Sequence, residues 1–161
     1  MKFAGIDDSE TVLRQMSLST VPSTVRRVYS AINRKKTGAE SAFAGTKLTP
    51  PAGEVTMNSM QQIVYVMQSR MGFNSSSRVL DIGCGQGKPN CHFAASVNPV
   101  LNVGIEIVPW RWFQAISNLI KVCDKALSGE IPYPNCYFKL GNIRDVGSFD
   151  PFTHLYMFSK G

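Results

Sequence analysis

The chain has 161 residues, 43% of them hydrophobic, enough for one domain with a sizeable core. No apolar run approaches the roughly 20 residues that cross a bilayer, and the start lacks the apolar stretch of a secretory signal, so a protein kept inside the cell and off membranes is expected. The formal charge of +6 is uneven, because residues 1–50 hold eight Lys/Arg against four Asp/Glu and so carry +4 of it.

Within residues 1–50, Arg26-Arg27 and Arg34-Lys35-Lys36 sit among Ser, Thr and Gly with little sustained apolar period. The segment reads as a basic arm of disordered type, suited either to phosphate contacts with nucleic acid or to a role as a solubilising tail. Residues 46–53 form a Pro/Gly linker, and a folded part is expected over 51–161. Met60, Ile63, Val64, Met67 and Met71 recur at helical steps, which predicts a helix from about Met57 to Met71 with Thr56 or Asn58 as N-cap. Residues 72–77 break it, and residues 78–82 read as a short buried strand running into glycines. A helix around 90–97, a strand over 101–107 and a helix from about 109 to 127 follow, the last with Phe113, Ile116, Ile120, Cys123 and Leu127 on one face. Residues 135–140 and 152–158 supply two further strands. This alternation predicts an α/β fold of Rossmann type, a parallel sheet with helices on both faces that stops after its fourth strand.

The four cysteines, Cys84, Cys91, Cys123 and Cys136, have no CxxC pairing and no histidines at zinc spacing, so they read as reduced thiols without a metal. His154, alone in an apolar strand, reads as a hydrogen-bonded core residue.

The strongest local signal is Asp81-Ile-Gly83-Cys-Gly85-Gln-Gly87, where a buried strand turns into a helix. Glycine there allows positive φ and lets the backbone lie against a ligand. The following helix, with Pro89 in its first turn, would aim N–H groups at an anionic ligand group, and Asp81 would meet an ammonium. A P-loop is excluded, since Ile82 stands at the required glycine and Pro89 follows Gly87-Lys88. The dinucleotide pattern fails as well, with Lys88 at its third glycine. Glu106 ends the next strand 25 positions after Asp81, where Rossmann sites place a ribose-binding carboxylate.

The loop is similar to the first motif of Rossmann-type methyltransferases, and the resemblance implies S-adenosylmethionine as cofactor. It implies contacts at Asp81, Gly83, Gly85, Gly87 and Glu106, with Asn142 and Ile143 at the adenine. More closely, Gly53-Glu-Val-Thr56 ahead of a helix and this loop resembles the Dot-type (disruptor of telomeric silencing) histone lysine methyltransferases, over roughly residues 50–161. Ala52 stands for that family's tyrosine and Asn142 for its aspartate. The resemblance implies that Glu54, Val55 and Thr56 contact the cofactor, and that Tyr156, Phe158 and Ser159 line the catalytic lysine channel, where Phe158-Ser159 departs from the usual amide or acid. It implies a nuclear enzyme whose partner is the nucleosome, with DNA contacts through the basic arm. Two alternatives stay open: a methyltransferase acting on a small molecule or another protein, and a non-catalytic chromatin- or nucleic-acid-binding module of degenerate fold.

Overall fold

The computed structural model describes residues 20–32 and 55–158, together with Thr11 and Arg14. Its elements are α1 (Ser23–Ile32), α2 (Met57–Met71), β1 (Arg78–Ile82), α3 (Lys88–Ser96), β2 (Leu101–Glu106), α4 (Pro109–Leu127), β3 (Cys136–Leu140), a single 3-10 turn (Ile143–Asp145) and β4 (His154–Tyr156). The strands form one parallel sheet in the order β3-β2-β1-β4. The α/β class is thus as the sequence predicts.

Local chemistry sets the element ends. Thr56 caps α2 by accepting from the Ser59 N–H at 3.1 Å, and Gly72, at φ 68°, closes it in the left-handed conformation. Pro109 opens α4, where its missing N–H costs nothing.

Register shows how the layers are built. Val79, Asn102, Cys136 and His154 lie side by side, as do Asp81, Gly104, Phe138 and Tyr156. Strand side chains alternate, so these eight share one face. That face meets the helices: Met60, Val64 and Met67 of α2 and Phe93 of α3 form a cluster with Val79 and Tyr156. Asn90 of α3 and Asn102 exchange two buried hydrogen bonds of 2.8 Å. Trp112 of α4 donates to the Phe138 carbonyl. Right-handed crossovers between β1, β2 and β3 require α3 and α4 to share a side. The opposite face carries Leu80, Val103, Tyr137 and Leu155, of which Tyr137 and Leu155 are exposed. The β3–β4 connection passes with only the 3-10 turn. Helices α2, α3 and α4 pack against the first of these two faces.

Two expectations change. Ser23–Ile32, inside the stretch read as a basic arm, is a helix whose Val25, Val28, Tyr29 and Ile32 are buried with Cys91, Ala95, Val122 and Ile131. Arg26 and Arg27 are spent locally, on the carbonyls of Val21 and Glu130. The Arg34-Lys35-Lys36 cluster lies outside the described residues. In α4 the buried positions are Ala115, Asn118 and Val122, while Phe113, Ile120 and Leu127 of the predicted face are exposed. The inner side of α4 comes close to the glycine loop, where Asn118 donates to the Gln86 carbonyl at 3.0 Å, and close approach selects small or hydrogen-bonding side chains.

His154 behaves as expected of a core histidine, buried between the Thr153 hydroxyl and the Met71 carbonyl. No helix among the described residues is long and apolar enough to cross a membrane.

Candidate functional site

The glycine loop sits at the carboxyl end of β1, and its three glycines have φ of 75°, 56° and 72° at Gly83, Gly85 and Gly87. All three lie in the region that side chains with a Cβ rarely adopt. Their surroundings differ. A Cβ at Gly83 or Gly85 would meet nothing within 4 Å, whereas one at Gly87 would lie 2.3 Å from the Phe138 ring. Gly83 and Gly85 thus face open space and Gly87 is a packing glycine.

The loop's own N–H groups are largely used. Gly83 and Cys84 donate to the Ile105 carbonyl, Gly85 to Glu106 Oε2 at 2.8 Å, and Gly87 to the Cys84 carbonyl. These loop amides are therefore engaged within the protein, and the expectation from the sequence concerned the N–H groups at the start of the following helix. Glu106 is buried, and its other oxygen accepts from the Val108 N–H at 2.8 Å. One carboxylate so clamps the glycine loop to the start of α4.

In front of the loop opens a cavity. Of the residues expected from the sequence, Val55, Asp81, Gly83, Gly85, Tyr156 and Phe158 line it. Thr56, Gly87, Glu106, Asn142 and Ile143 do not. Thr56 is spent as the α2 cap, and the Asn142 side chain caps the 3-10 turn by accepting from the Arg144 N–H. Glu54 and Ser159 lie outside the described residues. Sequence reasoning missed Tyr29, Met60, Lys88, Trp110 and Arg111 in the lining. Trp110 and Arg111 carried a signal, since they open the helix that follows Glu106 and so stand at the same strand ends as the loop.

Among the buried polar atoms of this lining that have no hydrogen-bond partner are Asp81 Oδ2, the Tyr156 hydroxyl and Trp110 Nε1. Leaving such a group unsatisfied costs about 1–3 kcal/mol, and their convergence on one cavity marks it as built for a ligand. Burial, and then the charge of Glu106, push the Asp81 carboxyl up to about 8. Burial, and then Asp81, push the Tyr156 phenol up to about 12. Lys88 and Arg111 add positive charge to the lining, and the Arg111 guanidinium lies 5.7 Å from the Trp110 ring centre. The cavity thus offers an acceptor at Asp81 and donors at Trp110, Lys88 and Arg111, a bipolar set suited to a ligand with both an ammonium and an acidic group.

Other chemistries find less support. The thiol of Cys84 is pushed up by burial and by the charges of Asp81 and Glu106, away from a nucleophilic thiolate. Among the described residues no group of three His, Cys, Asp or Glu is placed to hold a metal ion.

A parallel sheet with a glycine loop at the end of its first strand and an acidic residue closing its second has the Rossmann-like fold of S-adenosylmethionine-dependent methyltransferases. Among solved structures the chain is similar to a protein-L-isoaspartate O-methyltransferase, at 16% identity and a TM-score of 0.51, over 92% of this chain and 47% of that one. It also matches coclaurine N-methyltransferase bound to N-methylheliamine and SAH, at 13% identity and a TM-score of 0.43, over 94% of this chain and 48% of that one. The chain spans about half the length of these structures. No protein-family model matches it, and no curated protein does. The likeness extends to the fold of methyltransferases and does not single out the Dot type.

Proposed function

We propose that this chain is the S-adenosylmethionine-binding part of a methyltransferase whose substrate is a histone lysine in the nucleosome. The observation that carries the cofactor reading is the set of unsatisfied buried atoms, Asp81 Oδ2, Tyr156 hydroxyl and Trp110 Nε1, in front of the glycine loop. An amino-acid moiety satisfies two of them with its charges: the ammonium at Asp81, the carboxylate at Trp110 with Lys88 and Arg111. Gly83 and Gly85 leave room for the ligand beside the backbone.

When bound, S-adenosylmethionine supplies a methyl group on a sulfonium, which a neutral amine attacks in line. The chain's residues have two tasks around that reaction. Tyr156 and Phe158, at the end of β4, wall the side from which an amine enters, and with Ser159 they form the proposed lysine channel; aromatic walls exclude water. Stripping water from the entering ammonium between these walls lowers its pKa and releases the lone pair. The Dot-type resemblance supports the lysine, nucleosome and nuclear assignments, and the Arg34-Lys35-Lys36 cluster supports DNA contact.

Calorimetric titration with S-adenosylhomocysteine, followed by methyl transfer from labelled S-adenosylmethionine to nucleosomes, free histones and small amines, tests both levels. Absence of S-adenosylhomocysteine binding sinks the cofactor reading. Binding with transfer to small amines or free histones but not to nucleosomes overturns the substrate assignment alone.

A further inference from the structure

The apolar side of α4 is turned to solvent rather than to the core. Phe113, Ile116, Ile120, Cys123 and Leu127 recur at alternating steps of three and four residues, the repeat of a seam along which one helix meets another. At 1.5 Å per residue the seam runs about 21 Å. Ala115, Asn118 and Val122 hold the opposite side of the helix in the fold, so the seam is surplus to the packing that anchors α4.

The apolar surface continues beyond the helix. The Tyr133 phenol interacts with the Cys123 thiol and lies near Tyr137 on β3, an edge strand. Phe113, Ile120, Leu127, Tyr133 and Tyr137 are each between 58% and 78% exposed. At about 150–250 Å² for a large side chain, they present on the order of 600 Å² of largely apolar surface, the upper end of what a monomer ordinarily leaves in one patch. A stable interface buries about 800 Å² per partner, about 65% of it apolar in homodimers. The patch therefore matches the apolar part of one such interface.

Charge selects the occupant. One flank of the seam carries Lys121 and, three residues on and nearer the seam, Asp124. Asp124 is exposed and forms no ion pair among the described residues, and Lys121 Nζ lies 3.4 Å from Asn118 Oδ1. When two copies of α4 run antiparallel, this flank of each faces the same flank of the other in the reverse direction. Ile116 then packs against Leu127 and Ile120 against Cys123 of the other copy, and Asp124 of each chain comes within reach of Lys121 of the other. We propose that the α4 seam is the interface of a homodimer, two copies packing α4 antiparallel about a two-fold axis with Ile120 and Cys123 at its centre. The seam residues lie outside the cavity lining, whose Trp110 and Arg111 open the same helix, so the two cavities of the dimer stand at opposite ends of the paired helices.

Sedimentation velocity of the full chain across a range of micromolar concentrations is expected to show a reversible monomer–dimer equilibrium. Ile120→Lys puts a charge at the centre of the interface from both sides and is expected to weaken the dimer about hundredfold, while the circular dichroism spectrum stays that of the parent because the side chain is exposed. Asp124→Lys is expected to weaken it about fivefold, and adding Lys121→Asp to that variant to restore it. Leu155→Lys, on the sheet face turned away from α4, should leave the dimer intact. A parent chain that stays monomeric at the highest concentration reached overturns the proposal and leaves the seam to a different protein. A dimer that survives Ile120→Lys, or that yields to Leu155→Lys instead, overturns it by placing the interface elsewhere. A double variant no tighter than Asp124→Lys alone overturns the antiparallel pairing.

Discussion

Replacing Glu106 by glutamine tests what the buried carboxylate does. Its two oxygens accept from the Gly85 and Val108 N–H groups, each at 2.8 Å, in a buried setting. A carboxamide offers one oxygen and one NH2 group, so in either orientation one of the two backbone donors faces another donor. One charge-assisted bond, worth about 1.5–3 kcal/mol, is lost and a buried N–H is left without a partner. Against that, the substitution removes a buried charge that stands beside Asp81, which returns part of the loss. A net destabilisation of about 2 kcal/mol is expected. Urea denaturation monitored by circular dichroism reads it, and titration with S-adenosylhomocysteine should show weakened binding alongside. Glu106→Gln that keeps its unfolding free energy within about 0.5 kcal/mol yet loses ligand affinity would refute the clamp and return Glu106 to the ribose role.

The carboxyl of Asp81, raised to about 8 against an ordinary 3.8, contributes stability that is complete below the unfolded value and lost as pH rises through about 8. Asp81→Asn should therefore flatten the fall in the denaturation midpoint between pH 5 and 8, and equal slopes in parent and variant would contradict the burial argument. Because an ammonium favours the ionised carboxylate, affinity for S-adenosylhomocysteine should rise from pH 6 to 8 in the parent and lose that rise in Asp81→Asn; calorimetry across this range decides. Gly85→Ala, with open space at its Cβ but φ of 56°, should cost only about 1–2 kcal/mol of stability while removing ligand binding. Gly87→Ala, whose Cβ would meet the Phe138 ring, should lose stability first, and similar melting temperatures for the two variants would count against the distinction.

Much of the sheet was legible because buried parallel strands are short apolar runs, and β1 and β2 appear as such in Arg78–Ile82 and Leu101–Glu106. The bounds of α4 were legible too, from Pro109 onward, but its orientation was not. Apolar periodicity points to Phe113, Ile120 and Leu127, while packing against a glycine loop favours Ala115 and Asn118. In α1 the signal was present: Val25, Val28, Tyr29 and Ile32 stand at helical spacing, obscured by Arg26-Arg27 and by the shortness of the helix. In the site, Asp81, Gly83 and Gly85 were readable from backbone need. Tyr29 was not legible as a cavity wall, because such a wall is assembled by tertiary packing; Trp110 carried a signal only through its place just after Glu106. The roles of Thr56 and Asn142 differ from expectation for a simpler reason, since each side chain is already engaged as a cap.

The glycine at position 104 bears on how the loop can vary in evolution. In the motif, residue 84 is the wildcard between two glycines, open in principle to any side chain. Here its Cβ and Sγ lie 2.8 Å from where a Cβ on Gly104 would stand, and Phe138 lies 2.7 Å from the same point. Positions 84, 104 and 138 share one small volume, so a larger residue at any of them must be matched by a smaller one at another. Shrinking Phe138 alone does not admit alanine at 104, because the Cys84 Cβ remains; glycine at 84 would be needed as well. Gly87 is more constrained, since a Cβ there would meet the Phe138 ring and its positive φ adds a cost of about 1–2 kcal/mol however much room Phe138 yields. Descendants of this sequence should therefore change residues 84, 104 and 138 as a linked set and leave position 87 alone.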